Sequence, residues 1–137
     1  MSGRSEAERV AAFLDGDVYA VVGASADRSK YGNRVLRTYM QNAHTVYPVN
    51  PRGGEIEGLA SSRSLAEVPA TIHGVSIITP PSVTERVIDE IIGLGIEHVW
   101  MQPGAESLAA IGRAADAGLN VLAGGVCLLV VLGYQGD

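Results

Sequence analysis

The stretch Val18-Tyr-Ala-Val-Val-Gly-Ala-Ser25 decides the fold. An apolar run rich in β-branched residues breaks into a turn of small ones, and Gly32-Asn33-Arg34 then opens a segment with helical spacing. A strand that feeds a helix through such a turn presents backbone N–H groups and the positive end of a helix dipole to an anion. The expected ligand therefore contains a nucleotide.

Outward from that run, residues 45–49, 75–78, 99–101 and 121–123 are similar apolar runs, and with 18–22 they make five predicted strands. Between them, 35–40, 83–94 and 108–117 carry apolar residues at helical spacing. Strand and helix signals in alternation predict parallel strands joined by right-handed crossovers. The fold class is α/β, a Rossmann-like doubly wound parallel five-stranded sheet with helices on both faces.

The chain has 137 residues, of which 47% are hydrophobic, enough for one domain with a substantial core. Residues 1–17 read as an N-terminal docking helix, with Val10, Ala11, Phe13 and Leu14 as its apolar face, and residues 18–137 read as the ligand-binding domain. Ser82 with Glu85 predicts a capping box at the third helix, and Ser64 with Glu67 a shorter helix before Pro69. The third helix should lay Val87, Ile88, Ile91, Ile92 and Leu94 against the sheet and stop at Gly93-Leu94-Gly95; the next should repeat that face with Leu108, Ile111 and Ala115. The run 126–132 reads as a buried strand, far short of the roughly 18 to 20 apolar residues that span a bilayer.

A formal charge of −5 argues against a nucleic-acid or membrane surface. The single Cys127 allows no internal disulfide, and no uninterrupted apolar segment resembles a signal peptide, so the expected location is cytoplasmic.

Ligands of doubly wound sheets sit at the carboxyl ends of the strands. The loops there are 23–33, 50–54, 79–82, 102–106 and 124–127, rich in turn residues. A dinucleotide fingerprint would place glycines at 23, 25 and 28, where this chain has Gly23, Ser25 and Arg28. An NAD site would also want an acidic residue after the second strand, where Asn50-Pro51-Arg52 stands. Arg52 offers a planar cation suited to a ribose phosphate, either the 2′-phosphate of NADP or the 3′-phosphate of coenzyme A.

Val22-Gly-Ala-Ser25, Lys30-Tyr-Gly-Asn-Arg34, Tyr47-Pro-Val-Asn-Pro51, Thr79-Pro-Pro81, Val99-Trp-Met-Gln-Pro-Gly-Ala105 and Cys127, taken in order, resemble the small stand-alone coenzyme A-binding proteins. Their fold is similar to the N-terminal domain of the succinyl-CoA synthetase alpha subunit, and the likeness covers residues 17–127. The resemblance implies that 18–137 is a coenzyme A-binding domain. Gly23, Ala24 and Ser25, with Gly32 and Asn33, would line the coenzyme phosphates; among the loop cations Arg28, Lys30 and Arg34, the residues themselves favour Lys30 or Arg34 as a further phosphate contact. Asn50, Pro51 and Arg52 would face the adenosine ribose and its 3′-phosphate. Thr79, Pro80 and Pro81 would edge the adenine, and Gln102 with Pro103 would lie towards the pantetheine arm. The family pattern has an Asp-Arg pair before the cysteine and a charged C-terminal end, whereas Gly125-Val126 and Leu128-Leu-Val-Val-Leu132 stand here.

Other chemistry-bearing residues receive plain readings. Cys127 reads as an inert thiol, the sharper alternative being a mixed disulfide with the coenzyme. His44, His73 and His98 fall on the edge away from the ligand loops and read as solvated or capping groups. Trp100 reads as core, and Asp89, Glu90 and Asp116 as solvated helix charges. No nucleophile–base pair and no metal cluster emerges, so the expected function is a non-catalytic or accessory module for coenzyme A or acyl-CoA, working with a partner enzyme or as a homodimer. Two alternatives stand: an NADP-dependent oxidoreductase or other nucleotide-dependent enzyme, and an interaction module with a vestigial pocket.

Overall fold

The computed structural model describes residues 4–136, so residues 1–3 and 137 of the predicted spans 1–17 and 18–137 lie outside the described residues. The five strands are β1 (Val18–Val22), β2 (Thr45–Val49), β5 (Gly74–Ile77), β6 (His98–Met101) and β7 (Asn120–Leu122). All pair in parallel, in the order β2-β1-β5-β6-β7. From β1 the chain goes outward to β2 on one side and to β5 on the other, which leaves a crevice above the carboxyl ends of β1 and β5.

Five helices cover the sheet: α1 (Glu6–Leu14), α2 (Tyr31–Gln41), α3 (Pro81–Leu94), α4 (Leu108–Asp116) and α5 (Leu128–Leu132). Because strand side chains alternate between faces, Tyr19, Val21 and Trp100 pack with Phe13 of α1, Leu36 and Tyr39 of α2 and Leu128 of α5. Their neighbours Ala20, Val75, Ile77, Val99 and Met101 pack on the other face with Ile88 and Ile91 of α3 and Ala110 and Ala114 of α4. Strands buried on both faces explain why the sequence shows continuous apolar runs there.

Helix α1 opens on a capping box that the sequence reading passed over. The Ser5 hydroxyl accepts from the Glu8 amide (3.1 Å), and the Glu8 carboxylate accepts from the Ser5 amide (2.8 Å), which holds that carboxyl below its ordinary range. Phe13 at its far end is wholly buried, tilted against Tyr19 and edge-on to Trp100.

Five local expectations are corrected. Helix α3 buries Val87, Ile88 and Ile91 but leaves Ile92 and Leu94, at its end, exposed. The run 126–132 is not a strand: Gly124 and Gly125 take φ of 84° and 103°, turning the chain off the sheet, and residues 128–132 coil into α5, which buries Leu128. A short apolar run carries no periodicity that separates the two forms. The Ser82–Glu85 capping box is absent because α3 starts earlier, with Pro80 as N-cap and Pro81 in the first turn, where its missing N–H costs nothing. Ser64 does precede a 3-10 turn (Leu65–Glu67), but its side chain makes no capping bond. Helix α4 buries Ala110 and Ala114, one position away from the predicted face, and leaves Leu108 90% exposed.

A small hairpin, β3 (Glu55–Ile56) with β4 (Leu59–Ala60), was not foreseen. Its two turn residues, Glu57 and Gly58, both have positive φ (51° and 80°), as a two-residue hairpin requires. The chain leaving it runs beside β2: the Ser62 amide donates to the Pro48 carbonyl (3.0 Å), and the Asn50 amide donates to the Ser62 carbonyl (2.9 Å).

Candidate functional site

The turn after β1 needs its glycines for space. Gly23 has φ 97°, and a Cβ there would run into the Ile78 carbonyl; one on Gly32 would run into the carbonyl oxygen of Gly23. The first turn of α2 therefore lies directly on the end of β1. Its N-cap Lys30 supplies no side-chain bond, and its first turn holds no acidic residue. The N-terminal amides and the helix dipole of α2 are thus not neutralised by a local carboxylate cap.

Asn33 is wholly buried, and its side chain is committed to the protein. Its amide nitrogen donates to the Ser25 carbonyl (2.8 Å) and the Glu57 carboxylate (3.0 Å), while its oxygen accepts from Arg37 Nε (2.7 Å). Asn33 thus braces loop 25–29 from behind. Glu57 also pairs with Arg28 (3.3 Å), so the hairpin is clamped to this loop. No sequence signal pointed to Glu57 beyond the adjacent Gly58.

Asn50 performs the matching task on β2. Its Nδ2 donates to the Ala24 carbonyl (2.9 Å) and its Oδ1 accepts from the Arg52 amide (2.8 Å), an Asx turn that ties the two strand ends together. Pro51 and Arg52 are exposed beside it. Arg34 is half-buried and donates to the Ser29 carbonyl (2.7 Å), and Lys30 is exposed at the rim.

Next to the turn opens a cleft of about 500 Å³ lined by Tyr31, Ile78, Thr79, Pro80, Pro103, Gly104, Ala105 and Cys127. Of the residues read from the sequence, Thr79, Pro80 and Pro103 meet here; Pro81 sits exposed in the first turn of α3 and does not line the wall. Gln102 lies wholly buried. The Tyr31 hydroxyl contacts Cys127 Sγ (2.7 Å) and donates to Gln102 Oε1 (3.2 Å), which also accepts from the Leu128 amide (2.9 Å). Burial, and then the bond to Cys127, push the Tyr31 hydroxyl well above its ordinary pKa, so it stays protonated. Tyr31, Ile78, Gly104 and Ala105 were not singled out, although Tyr31 stands inside the motif Lys30-Tyr-Gly-Asn-Arg34.

The opposite end of the sheet is packed with rings, and two open clefts of about 410 and 420 Å³ border it. His73 and His98 stack at 4.2 Å, His73 lies edge-on to Tyr19 (5.7 Å), and His44 lies edge-on to Tyr19 (5.1 Å). All three histidines are half-buried and packed on aromatic neighbours, and His73 also caps a carbonyl in the last turn of α1. Burial, followed by the neighbouring His73, lowers the pKa of His98. Asn120 Nδ2 donates to the Arg9 carbonyl (2.9 Å) and lies 3.0 Å from His98 Nδ1, while His73 Nε2 lies 3.1 Å from the Ala12 carbonyl. Both contacts hold α1 on the sheet. Among the described residues no group of three or more His, Cys, Asp or Glu could hold a metal, and no helix is long and apolar enough to cross a membrane.

Comparison with known proteins bears on this site. A family model described as "CoA binding domain" matches residues 17–133. A solved structure of a conserved hypothetical protein from Pyrococcus furiosus superposes with a TM-score of 0.79 at 36% identity, covering 85% of this chain and 99% of that one. The dinucleotide-forming acetyl-coenzyme A synthetase 1 of Ca. Korarchaeum cryptofilum gives a TM-score of 0.70 at 30% identity, over 80% of this chain and 26% of that one. The ADP-forming acetate-CoA ligase I of Archaeoglobus fulgidus is 32% identical over 73 residues, 53% of this chain. The chain spans 11% of that ligase and 19% of a Pyrococcus furiosus alpha subunit, so it corresponds to a fraction of these curated relatives.

Proposed function

The chain belongs to the CoA binding domain family, and from that premise we propose that it binds coenzyme A, with the phosphates over the Gly23 turn and the thiol end in the cleft walled by Tyr31 and Cys127. One observation carries the reading: the glycine turn, the uncapped start of α2 and the cleft adjoin at the point where the strand order reverses. A ligand with a polyanionic head and an apolar arm matches that sequence of surfaces.

In this reading the amides of Gly23, Ala24, Ser25 and Gly32 receive the phosphates, Asn33 braces their loop, and Lys30 or Arg34 adds charge from the rim. Asn50 and Pro51 shape the ribose side, and Arg52 meets the 3′-phosphate. Thr79 and Pro80, which line the cleft just before α3, flank the ligand, with Pro81 next to them in the first turn of that helix, and Gln102 with Pro103 adjoins the pantetheine arm.

The same geometry favours a non-catalytic or accessory module over an enzyme. The cleft lining, among the described residues, includes no histidine, carboxylate or lysine to serve as a general base beside the coenzyme thiol. Such a module would sense acyl-CoA or hand the coenzyme to a partner enzyme or a second copy of the chain. A cytoplasmic setting suits its free Cys127.

Calorimetry with coenzyme A, dephospho-coenzyme A, NAD and NADP tests this. Coenzyme A should bind, and more weakly without its 3′-phosphate. Binding of NADP alone would instead support the oxidoreductase reading, and no binding at all a vestigial pocket.

A further inference from the structure

We propose that the cleft recognises an acyl thioester in preference to free coenzyme A, through the side-chain amide of Gln102; this rests on the coenzyme A assignment above. The observation is an unmet hydrogen-bonding demand. Gln102 is wholly buried, and its Nε2 has no partner among the described residues. The orientation of the amide is fixed, because Leu128 N–H and the Tyr31 hydroxyl both donate to the other atom, Oε1. Nε2 therefore carries N–H groups with no acceptor, a costly state for a buried amide that calls for a partner.

The position of the amide says where that partner comes from. One donor to Oε1, Tyr31, lines the cleft, and the other, Leu128, directly follows Cys127, which also lines it. The Oε1 edge of the amide thus adjoins the Tyr31–Cys127 contact, at the end of the cleft assigned to the thiol. Around it the wall is apolar, made by Ile78, Pro80, Pro103 and Ala105. That lining suits a short acyl chain and offers no cation to a carboxylate or another phosphate.

A thioester brings what this wall lacks. Its carbonyl oxygen is an acceptor one bond from sulfur, with no donor of its own to satisfy. The Tyr31 hydroxyl already has Gln102 and Cys127 as partners, and a cysteine S–H is a weak donor, so the amide N–H is the strong donor there without a partner for that oxygen to meet. A free thiol offers only a weak acceptor. Entry of the carbonyl parts the Tyr31–Cys127 contact and completes the bonding of Gln102.

The test is calorimetry on the full chain with three ligands: acetyl-coenzyme A, its thioether analogue S-ethyl-coenzyme A, which keeps the shape but lacks the carbonyl, and coenzyme A. One added hydrogen bond to a buried donor predicts that acetyl-coenzyme A binds about tenfold tighter than the thioether. In Gln102→Met, of similar length but with no donor, that ratio should collapse towards one. Should this variant not fold, the ratio in the natural sequence decides by itself. Equal binding of all three ligands overturns the thioester proposal and leaves the coenzyme A assignment standing, the orphan amide then being met by a buried water. No binding by any of them overturns both.

Discussion

At the amino ends of the strands, aromatic rings and imidazoles pack stacked and edge-on beneath α1, and the Asn120 amide and the His73 imidazole tie that helix to the sheet. At the carboxyl ends, glycines replace side chains, α2 begins without a carboxylate cap, and a buried amide lacks a partner. The two ends of one sheet thus divide the work. Bulky rings fill the end that holds the fold, while glycine turns, an uncapped helix start and an apolar cleft gather at the end that receives a ligand.

Substitutions at the two ends should therefore separate stability from binding. Phe13→Ala, at the amino end, should cost about 3–5 kcal/mol in urea unfolding, as loss of a buried ring does, with coenzyme A affinity within about twofold of the natural chain under conditions where the variant is folded. A matching loss of affinity would break the division. Gly32→Ala should cost about 1–3 kcal/mol by forcing α2 off the end of β1, and here affinity should fall along with stability. Arg52→Ala should leave the urea midpoint nearly unchanged and weaken coenzyme A about tenfold, as loss of a charged phosphate contact does. Dephospho-coenzyme A should be indifferent to that change.

The smallest expected effect is a pH dependence at the amino end. His98 has its pKa depressed by burial and by His73, so the unfolded chain binds that proton more readily than the folded one. The stability it contributes is present above about pH 6.5, the ordinary histidine value, and is lost as pH falls through the lowered folded value. Urea midpoints measured between pH 7.5 and 5 should decline, and His98→Gln should flatten the decline. An unchanged slope in that variant would assign it to other groups.

The sequence made the sheet and its helices legible because each strand is a compact apolar run and each major helix has a long periodic face. Where length ran out, legibility went with it. Five apolar residues at 128–132 look the same as strand or helix, and the two-residue strands at 55–56 and 59–60 are too short to show alternation. At the site, the glycine turn and Thr79, Pro80 and Pro103 were readable as loop residues after strands. Tyr31 was hidden as the first residue of a helix, and Glu57 acts through a side chain brought from a hairpin 24 positions from Asn33. Such contacts are products of tertiary packing, to which local pattern is blind. Gln102 could be placed near the ligand, but not its bonding: one satisfied oxygen and one orphan nitrogen emerge only from the fold.

The segment running beside β2 has a consequence for how copies of this chain can meet. An open sheet exposes ladders at both margins, and an unprotected margin invites a neighbouring chain to add a strand. On the β2 side, Ser62 already occupies the Pro48 carbonyl, and Pro48 has no N–H to offer. On the β7 side the strand is three residues long and is followed by a glycine turn. Both margins are blunted, so growth of the sheet from molecule to molecule is disfavoured, and self-association falls to side-chain surfaces such as the exposed Leu108 and Val130.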